Sequence, residues 1–220
     1  YFFGYKTDGV FLTNDEVSQW ADQSAIAKGS VAGDIRYVDV TGDGKVTVDD
    51  KTYLGSRIPK YTFGLNLGAE YKGFDFSMLL QGVAGVKGYM SLFAGHAFYQ
   101  EGSIQKWQME NCWNVQTSNR YPEYPRLEVM SNAGSNNTLT SDYWVIDASF
   151  VKVRNIQLGY TLPETLTKKF GSSGLRVYLS LDNPFTFSSY RKGWDPENTN
   201  NNAQYYPTLS TYTLGLSLKF

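Results

Sequence analysis

The residues with the most defined chemical spacing are Asp39-Val40-Thr41-Gly42-Asp43-Gly44-Lys45-Val46-Thr47-Val48-Asp49-Asp50. In a calcium loop of EF-hand spacing, positions 1, 3 and 5 supply side-chain oxygens and position 7 a backbone carbonyl. Position 6 is the glycine of the sharp turn, and position 12 closes the shell. Asp39, Thr41, Asp43, Lys45 and Asp50 fall on the ligand positions, Gly44 on the turn and Val46 on the apolar position that follows it. The chemistry is that of a hard cation, Ca2+, held by oxygens to stiffen a loop. Thr41 is a weaker ligand than Asp or Asn, and Asp50 is shorter than the usual Glu. The same residues also suit a D-G turn closed by Asx hydrogen bonds, and both readings stand at this level.

Elsewhere the raw material for catalysis is thin. His96 is the single histidine and Cys112 the single cysteine. His-pair metal sites, Cys-rich zinc sites and internal disulfides therefore have no residues to build them. Glu101, Glu110, Asp142 and Asp147 could serve a glycosidase, but nothing pairs them at a defined spacing. The sequence is expected not to be an enzyme. A net charge of −1 also argues against a nucleic-acid partner, which would need a basic face.

The elements that must carry the loop are β-strands. Charged residues are only 19% of the chain, below the usual share of about 25%. Tyr, Phe and Gly are abundant in their place. Over 60–71, Tyr61, Phe63, Leu65, Leu67, Ala69 and Tyr71 alternate with Thr62, Gly64, Asn66, Gly68 and Glu70. A strand alternates its side chains, so one face is apolar and the other small or polar. Lys72-Gly73 turns the chain, and Phe74, Phe76, Met78 and Leu80 continue the pattern over 73–83. Three more strands are predicted at 148–162, 174–186 and 206–220. In the first of them the apolar phase flips from Val151 and Val153 to Ile156, Leu158 and Tyr160, which predicts a bulge near Arg154-Asn155. Asn14–Ala27 reads as a short helix capped by Asn14, and 103–113 as another.

Strands of about ten residues span a bilayer when tilted. The connections alternate in length: Lys72-Gly73 and 163–174 are short, 85–147 and 187–205 long. That is the habit of outer-membrane barrels, with short periplasmic turns and long external loops. Five strands cannot close such a barrel, and an open edge in lipid leaves backbone groups unpaired. The chain also opens on Tyr1 with no initiator Met and no signal peptide, which reads as an internal position of a longer polypeptide.

Four blocks carry a family resemblance: GDIRYVDVTGDGKVTVDDKTYLGSRIPKYTFGLNLGAEYKGFDFSMLLQGVAG from Gly33, SFVKVRNIQLGYTLP from Ser149, NPFTFSSYRKGWDPE from Asn183, and the ending YPTLSTYTLGLSLKF. Together they resemble the C-terminal portion of the SusC/RagA-type TonB-linked (TonB-dependent) outer-membrane transporters. The resemblance implies an all-β fold: about five C-terminal strands of a large antiparallel transmembrane β-barrel with long extracellular loops. It divides the chain into an extracellular loop region with the calcium-type loop (1–59), a barrel hairpin (60–84), a long extracellular loop (85–147) and the last three barrel strands (148–220). It further implies a Gram-negative outer-membrane location and import of oligosaccharides or peptides. The partners would be a SusD-like surface lipoprotein, outer-membrane lipid, and TonB acting through a region outside this sequence.

Within the long loop, Phe93, Phe98, Tyr99, Trp107 and Trp113 could touch cargo or the lipoprotein, and packing as the loop's own core is the plainer expectation. Thr62, Asn66 and Glu70 would line the barrel interior. The rival architecture is a soluble calcium-stiffened β-domain that binds glycan at the cell surface.

Overall fold

The computed structural model describes residues 1–129, 135–191, 193–198, 200–201, 206 and 208–220. Twelve strands lie among them. In chain order they are β1 (Phe2–Gly4), β2 (Thr7–Val10), β3 (Ile35–Tyr37), β4 (Thr52–Gly55), β5 (Tyr61–Tyr71), β6 (Phe74–Ala84), β7 (Lys87–Met90), β8 (Val145–Asp147), β9 (Phe150–Thr161), β10 (Gly174–Ser188), β11 (Asn200–Asn201) and β12 (Thr211–Lys219). The short helices are α1 (Asn14–Gln19), α2 (Leu92–Gly95), α3 (Lys106–Asn111) and α4 (Glu164–Thr167). The chain divides into two compact units. One comprises Tyr1–Ile58, Lys87–Ile146 and Asn198–Tyr205; the other comprises Pro59–Val86, Asp147–Glu197 and Tyr206–Phe220.

The second unit is built on one antiparallel sheet of order β12-β10-β9-β6-β5. Its strands lie where the alternation predicts them, with one exception. The last begins at Thr211, while 206 and 208–210 are irregular and Pro207 lies outside the described residues. β5 and β6 pair in unbroken register from Tyr61↔Ala84 to Tyr71↔Phe74. Lys72 and Gly73 both take positive φ in the turn between them, a conformation that costs glycine little. The expected bulge is present. The register of β9 jumps from Asn155 to Val153 against both β6 and β10, so Arg154 is the extra residue. A matching jump from Asp182 to Phe185 lies opposite it in β10. The chain turns at one end of the sheet through Lys72-Gly73 and 162–173, and all longer connections leave from the other end.

The first unit has an ordinary protein core. Val10, Ile35, Tyr37 and Val46 are fully buried, joined by Tyr5, Ala27, Ala97, Trp113, Tyr124 and Trp144. Each large side chain so buried contributes roughly 1.5–3 kcal/mol. Two-stranded pairs β1·β4 and β2·β3 and the sheet β11-β7-β8 frame it. Both predicted helices are shorter than expected. α1 is capped by the Thr13 hydroxyl, which accepts from the Glu16 amide, and ends at Gln19. Trp20 leaves the helix in an extended conformation to donate its indole N–H to the Tyr37 carbonyl, a tertiary contact that periodicity does not contain. α3 keeps only Lys106–Asn111 of the predicted 103–113.

Candidate functional site

The five-stranded sheet has two chemically distinct faces, set by its register. Directly paired residues share a face, so the cross-strand rows can be read off. One row runs Ala69, Phe76, Leu158, Leu179, Leu214, and the next Leu67, Met78, Ile156, Leu181, Tyr212. The rows that bound these aliphatic ones are aromatic. Tyr71, Phe74 and Tyr160 lie at the turn end, with the Phe74 and Tyr160 rings 4.5 Å apart. Tyr61, Phe63, Phe185 and Phe187 lie towards the other end. A Cβ at Gly82 would run into the Phe63 ring that covers it, which explains a glycine in mid-strand. This face is uncovered: Leu65 is 49%, Phe187 63% and Leu216 72% exposed. An apolar band between aromatic girdles, on strands of 9 to 15 residues, has the pattern of a membrane barrel, whose strands of about ten residues carry a ~25 Å hydrophobic band. No helix among the described residues is long and apolar enough to cross a membrane, and strands cross without one.

The opposite face is polar in most rows, with Leu79, Val83 and Phe150 as exceptions. Thr62, Asn66 and Glu70 of β5 lie on it, exposed, as the alternation requires. Its charges are paired across strands. The Arg176 guanidinium donates to Asp75, and the ion pair crosses above Gly159 of the intervening strand, where a Cβ would collide with both side chains. Arg176 also lies over the Tyr178 ring, 5.0 Å from its centre, and Tyr178 in turn covers Gly215. Nearer the other end, Asn155 donates to Ser180 and Asp182. Beside it Lys152 and Arg154 engage Asp195 and Glu197.

In the loop 39–50, the structure brings three of the five candidate ligands together. The Thr41 hydroxyl lies 3.2 Å from Asp39 Oδ1 and 3.1 Å from Asp50 Oδ1. Gly42 and Gly44 adopt φ of +78° and +83°, so the turn at position 6 has the form the spacing calls for. Asp39 accepts from the Gly42 and Gly44 amides. Asp43 turns to its neighbour, the Lys45 amide. Asp50 is fully buried and accepts from the amides of Val40, Thr41 and Thr47. Burial pushes its carboxyl up, but the Thr47, Thr41 and Val40 amides together outweigh that and hold it below the usual range. Asp50 thus joins both ends of the loop through protein donors. Among the described residues, no three of His, Cys, Asp and Glu gather as a metal-binding group.

The aromatic residues of the long loop pack mainly on one another. Trp113 is in the core, with Phe98 and Trp107 against it, and Phe93 meets Tyr99 edge-on at 4.9 Å. His96 is buried too, 5.2 Å from the Trp144 ring, and neither ring nitrogen has a hydrogen-bond partner among the described residues. Burial pulls its imidazole down to about 4, so it is neutral at ordinary pH. Of the four candidate carboxylates, Asp142 accepts from the Thr7 hydroxyl and Glu110 pairs with Lys106 on α3.

Two groups escaped the sequence reading. Asp34, fully buried, accepts from Arg126, Asn136, Asn137 and the Val31 amide. Lys152, with its side chain 2% exposed, holds two carboxylates of the segment after β10. For the second a signal existed, since the predicted bulge stands at Arg154 and Asp195-Pro196-Glu197 closes the family-like stretch that begins at Asn183. Asp34 had no signal, because its side-chain partners Arg126, Asn136 and Asn137 are remote in the chain.

No family model matches the chain. It is 31% identical to TonB-dependent receptor P3 of Formosa agariphila over its whole length, covering 22% of that protein. It is 32% identical to TonB-dependent receptor SusC of Bacteroides thetaiotaomicron over 84% of the chain, covering 17% of that protein. The chain thus spans about a fifth of the length of these curated relatives. Among solved structures it is similar to the RagAB peptide importer. The "closed-closed" state gives a TM-score of 0.67 at 23% identity, covering 99% of this chain and 23% of that one; the "open-open" state gives 0.62 at 21%, covering 99% and 22%. That likeness establishes the fold, a segment of transporter barrel. The named relatives are receptors, not enzymes. With a matching sheet and relatives across its full length, the chain belongs to the TonB-dependent receptors of the SusC/RagA type.

Proposed function

We propose that the chain forms part of the barrel wall of an outer-membrane importer, driven by TonB and paired with a SusD-like surface lipoprotein, that carries oligosaccharides or peptides into the periplasm. The observation behind this reading is the bare apolar face of the five-stranded sheet, bordered by aromatic rows. In water such a face would be an aggregation surface; in a bilayer it is the favourable one. A soluble glycan-binding domain would have to cover it. In this reading the turns at Lys72-Gly73 and 162–173 face the periplasm, as does Phe220, while 1–59, 85–147 and 187–205 are external. The open edges of β5 and β12 continue into further strands, because lipid cannot satisfy their backbone groups.

The loop 39–50 enters this proposal as a calcium brace of an external loop. The convergence of Asp39 and Asp50 on the Thr41 hydroxyl and the conformation of Gly44 support that role.

The test is sidedness in whole cells that make the full-length receptor. Cys112→Ser removes the thiol of this chain, any cysteines elsewhere in the receptor are replaced by serine in the same background, and Val115→Cys or Gly171→Cys supplies one on either side. A membrane-impermeant maleimide is expected to label position 115 on intact cells and position 171 only after the outer membrane is opened. Equal labelling of both on intact cells would refute the topology. Loss of growth on the cognate nutrient on deletion of the gene would establish import.

A further inference from the structure

The segment Gly193–Glu197 lies on the polar face of the sheet and offers its carboxylates as a bound ligand would. Lys152 Nζ is 3.1 and 3.2 Å from the two Asp195 oxygens and 2.6 Å from Glu197 Oε2. Arg154 engages both Glu197 oxygens, with Nη1 3.0 Å from Oε2. The arginine is held in place from behind, its Nε donating to Gln81 at 2.6 Å and its Nη1 to Asn183 at 3.2 Å. Arg154 is the extra residue of the β9 bulge, and Asn183 is skipped in the facing bulge of β10, with φ of +49°. Bulges re-aim side chains and recur beside functional sites. Here the β9 bulge places Arg154 and Asn155 consecutively on the polar face, two and three residues after Lys152.

The buried lysine is the unusual element. Taking an ammonium out of water is costly unless good partners replace the solvent. Elsewhere on this face the cations are partly exposed, as at Arg176. The returning segment supplies the two carboxylates that replace solvent around the Lys152 ammonium. Burial raises both Asp195 and Glu197, yet their hydrogen bonds outweigh it and hold both below the usual carboxylate range, so the contacts favour charged partners.

We propose that Lys152 and Arg154 form a carboxylate-binding site on the polar wall, kept closed by the chain's own Asp195 and Glu197, and that a carboxylate-bearing ligand occupies it when the 193–197 strap lifts. The site takes acidic ligands, because its two cations form a fork for oxygens and Gln81 and Asn183 hold that fork rigid. The same chemistry is offered by an acidic peptide and by a uronic-acid oligosaccharide.

The experiment uses the full-length receptor in detergent, with tri-glutamate and tri-galacturonate as probes, so it does not depend on transport. Asp195→Asn/Glu197→Gln opens the strap, and Glu197→Gln alone keeps one carboxylate in case the double variant fails to fold. Either opened protein is expected to bind at least one probe tenfold or more tighter than wild type. The probe preferred identifies the source of the carboxylate. Adding Lys152→Gln is expected to remove that gain. In the wild type, a saturating probe is expected to speed amide hydrogen exchange across 193–198 at least threefold. The proposal is overturned if the folded opened proteins gain no affinity, if the gain survives Lys152→Gln, or if the exchange rate does not change.

Discussion

The two units of this chain place the same residue types in opposite ways. The first buries its aromatics: Tyr37 and Trp144 are enclosed, and even its histidine is covered. The second displays them, with Tyr61 and Tyr71 each 69% exposed at the two ends of one strand. Buried charge differs as well. In the first unit Asp34 is a hub inside the fold, tying together segments remote in sequence. In the second, charges lie on one face only, and the other has none from Leu65 to Leu214 along the rows. The difference teaches that burial and hydrophobicity are separate properties. A large apolar side chain needs an apolar surround, and the surround can be protein or lipid. The first unit makes its own; the second is shaped for one it does not contain.

The comparison should break most visibly at the hub. Arg126→Ala leaves Asp34 buried without its cation, and such losses cost about 3–5 kcal/mol. Hydrogen exchange is expected to accelerate across 31–37 and 135–145 while β9 and β10 stay protected. Loss of protection in the sheet as well would show that the units are one cooperative block.

Next comes the apolar face. Leu65→Arg places a charge in the middle of the band and is expected to destabilise insertion by about 2–4 kcal/mol, whereas Asn66→Arg, one residue on and on the other face, should cost close to nothing. Folding titrations into lipid bilayers would measure the contrast. Equal costs would mean that both faces see the same medium.

His96 sharpens the comparison by pH. Its folded pKa is depressed to about 4 from 6.5, so between those values the unfolded chain binds a proton that the native unit does not. The contribution is complete above 6.5 and is lost as pH falls towards 4, by up to about 3 kcal/mol. Local unfolding of the first unit, followed by hydrogen exchange, is expected to show this slope, and His96→Gln to flatten it. A slope that survives the substitution would place the titration elsewhere.

The smallest effect belongs to the loop 39–50. Asp50 already closes it with protein donors, and calcium at ten times its dissociation constant would add only about 1.4 kcal/mol by mass action. Chelation is expected to lower the melting point of the first unit by a few degrees in the wild type and not at all in Asp39→Ala. An identical response in both would remove calcium from the account.

Much of the sheet was legible because its signals are local. Alternation at i and i+2 marked β5, β6, β9 and β10 to within a residue or two, and the flip of phase marked the bulge at Arg154. Turn chemistry at Lys72-Gly73 fixed the hairpin register. The helices were read less well, since the α1 end depends on where Trp20 finds an acceptor, and that acceptor is on β3. Spacing named the residues of the calcium-type loop, but it could not show that Asp50 turns inward and binds amides on both sides.

The sequence by itself determined the five long strands of the sheet, their faces and the family, because side-chain direction in a strand follows from position alone; the seven short strands of β1–β4, β7, β8 and β11 carry too few residues to show a period. Only the tertiary structure decided which charges meet. Arg126 finds Asp34 from 92 residues away, Arg176 finds Asp75 from 101, and Lys152 finds Asp195 from 43. A pairing across strands or segments has no period in the chain; it depends on which residues the fold brings within reach, and burial as at Asp34 and Lys152 makes a partner obligatory.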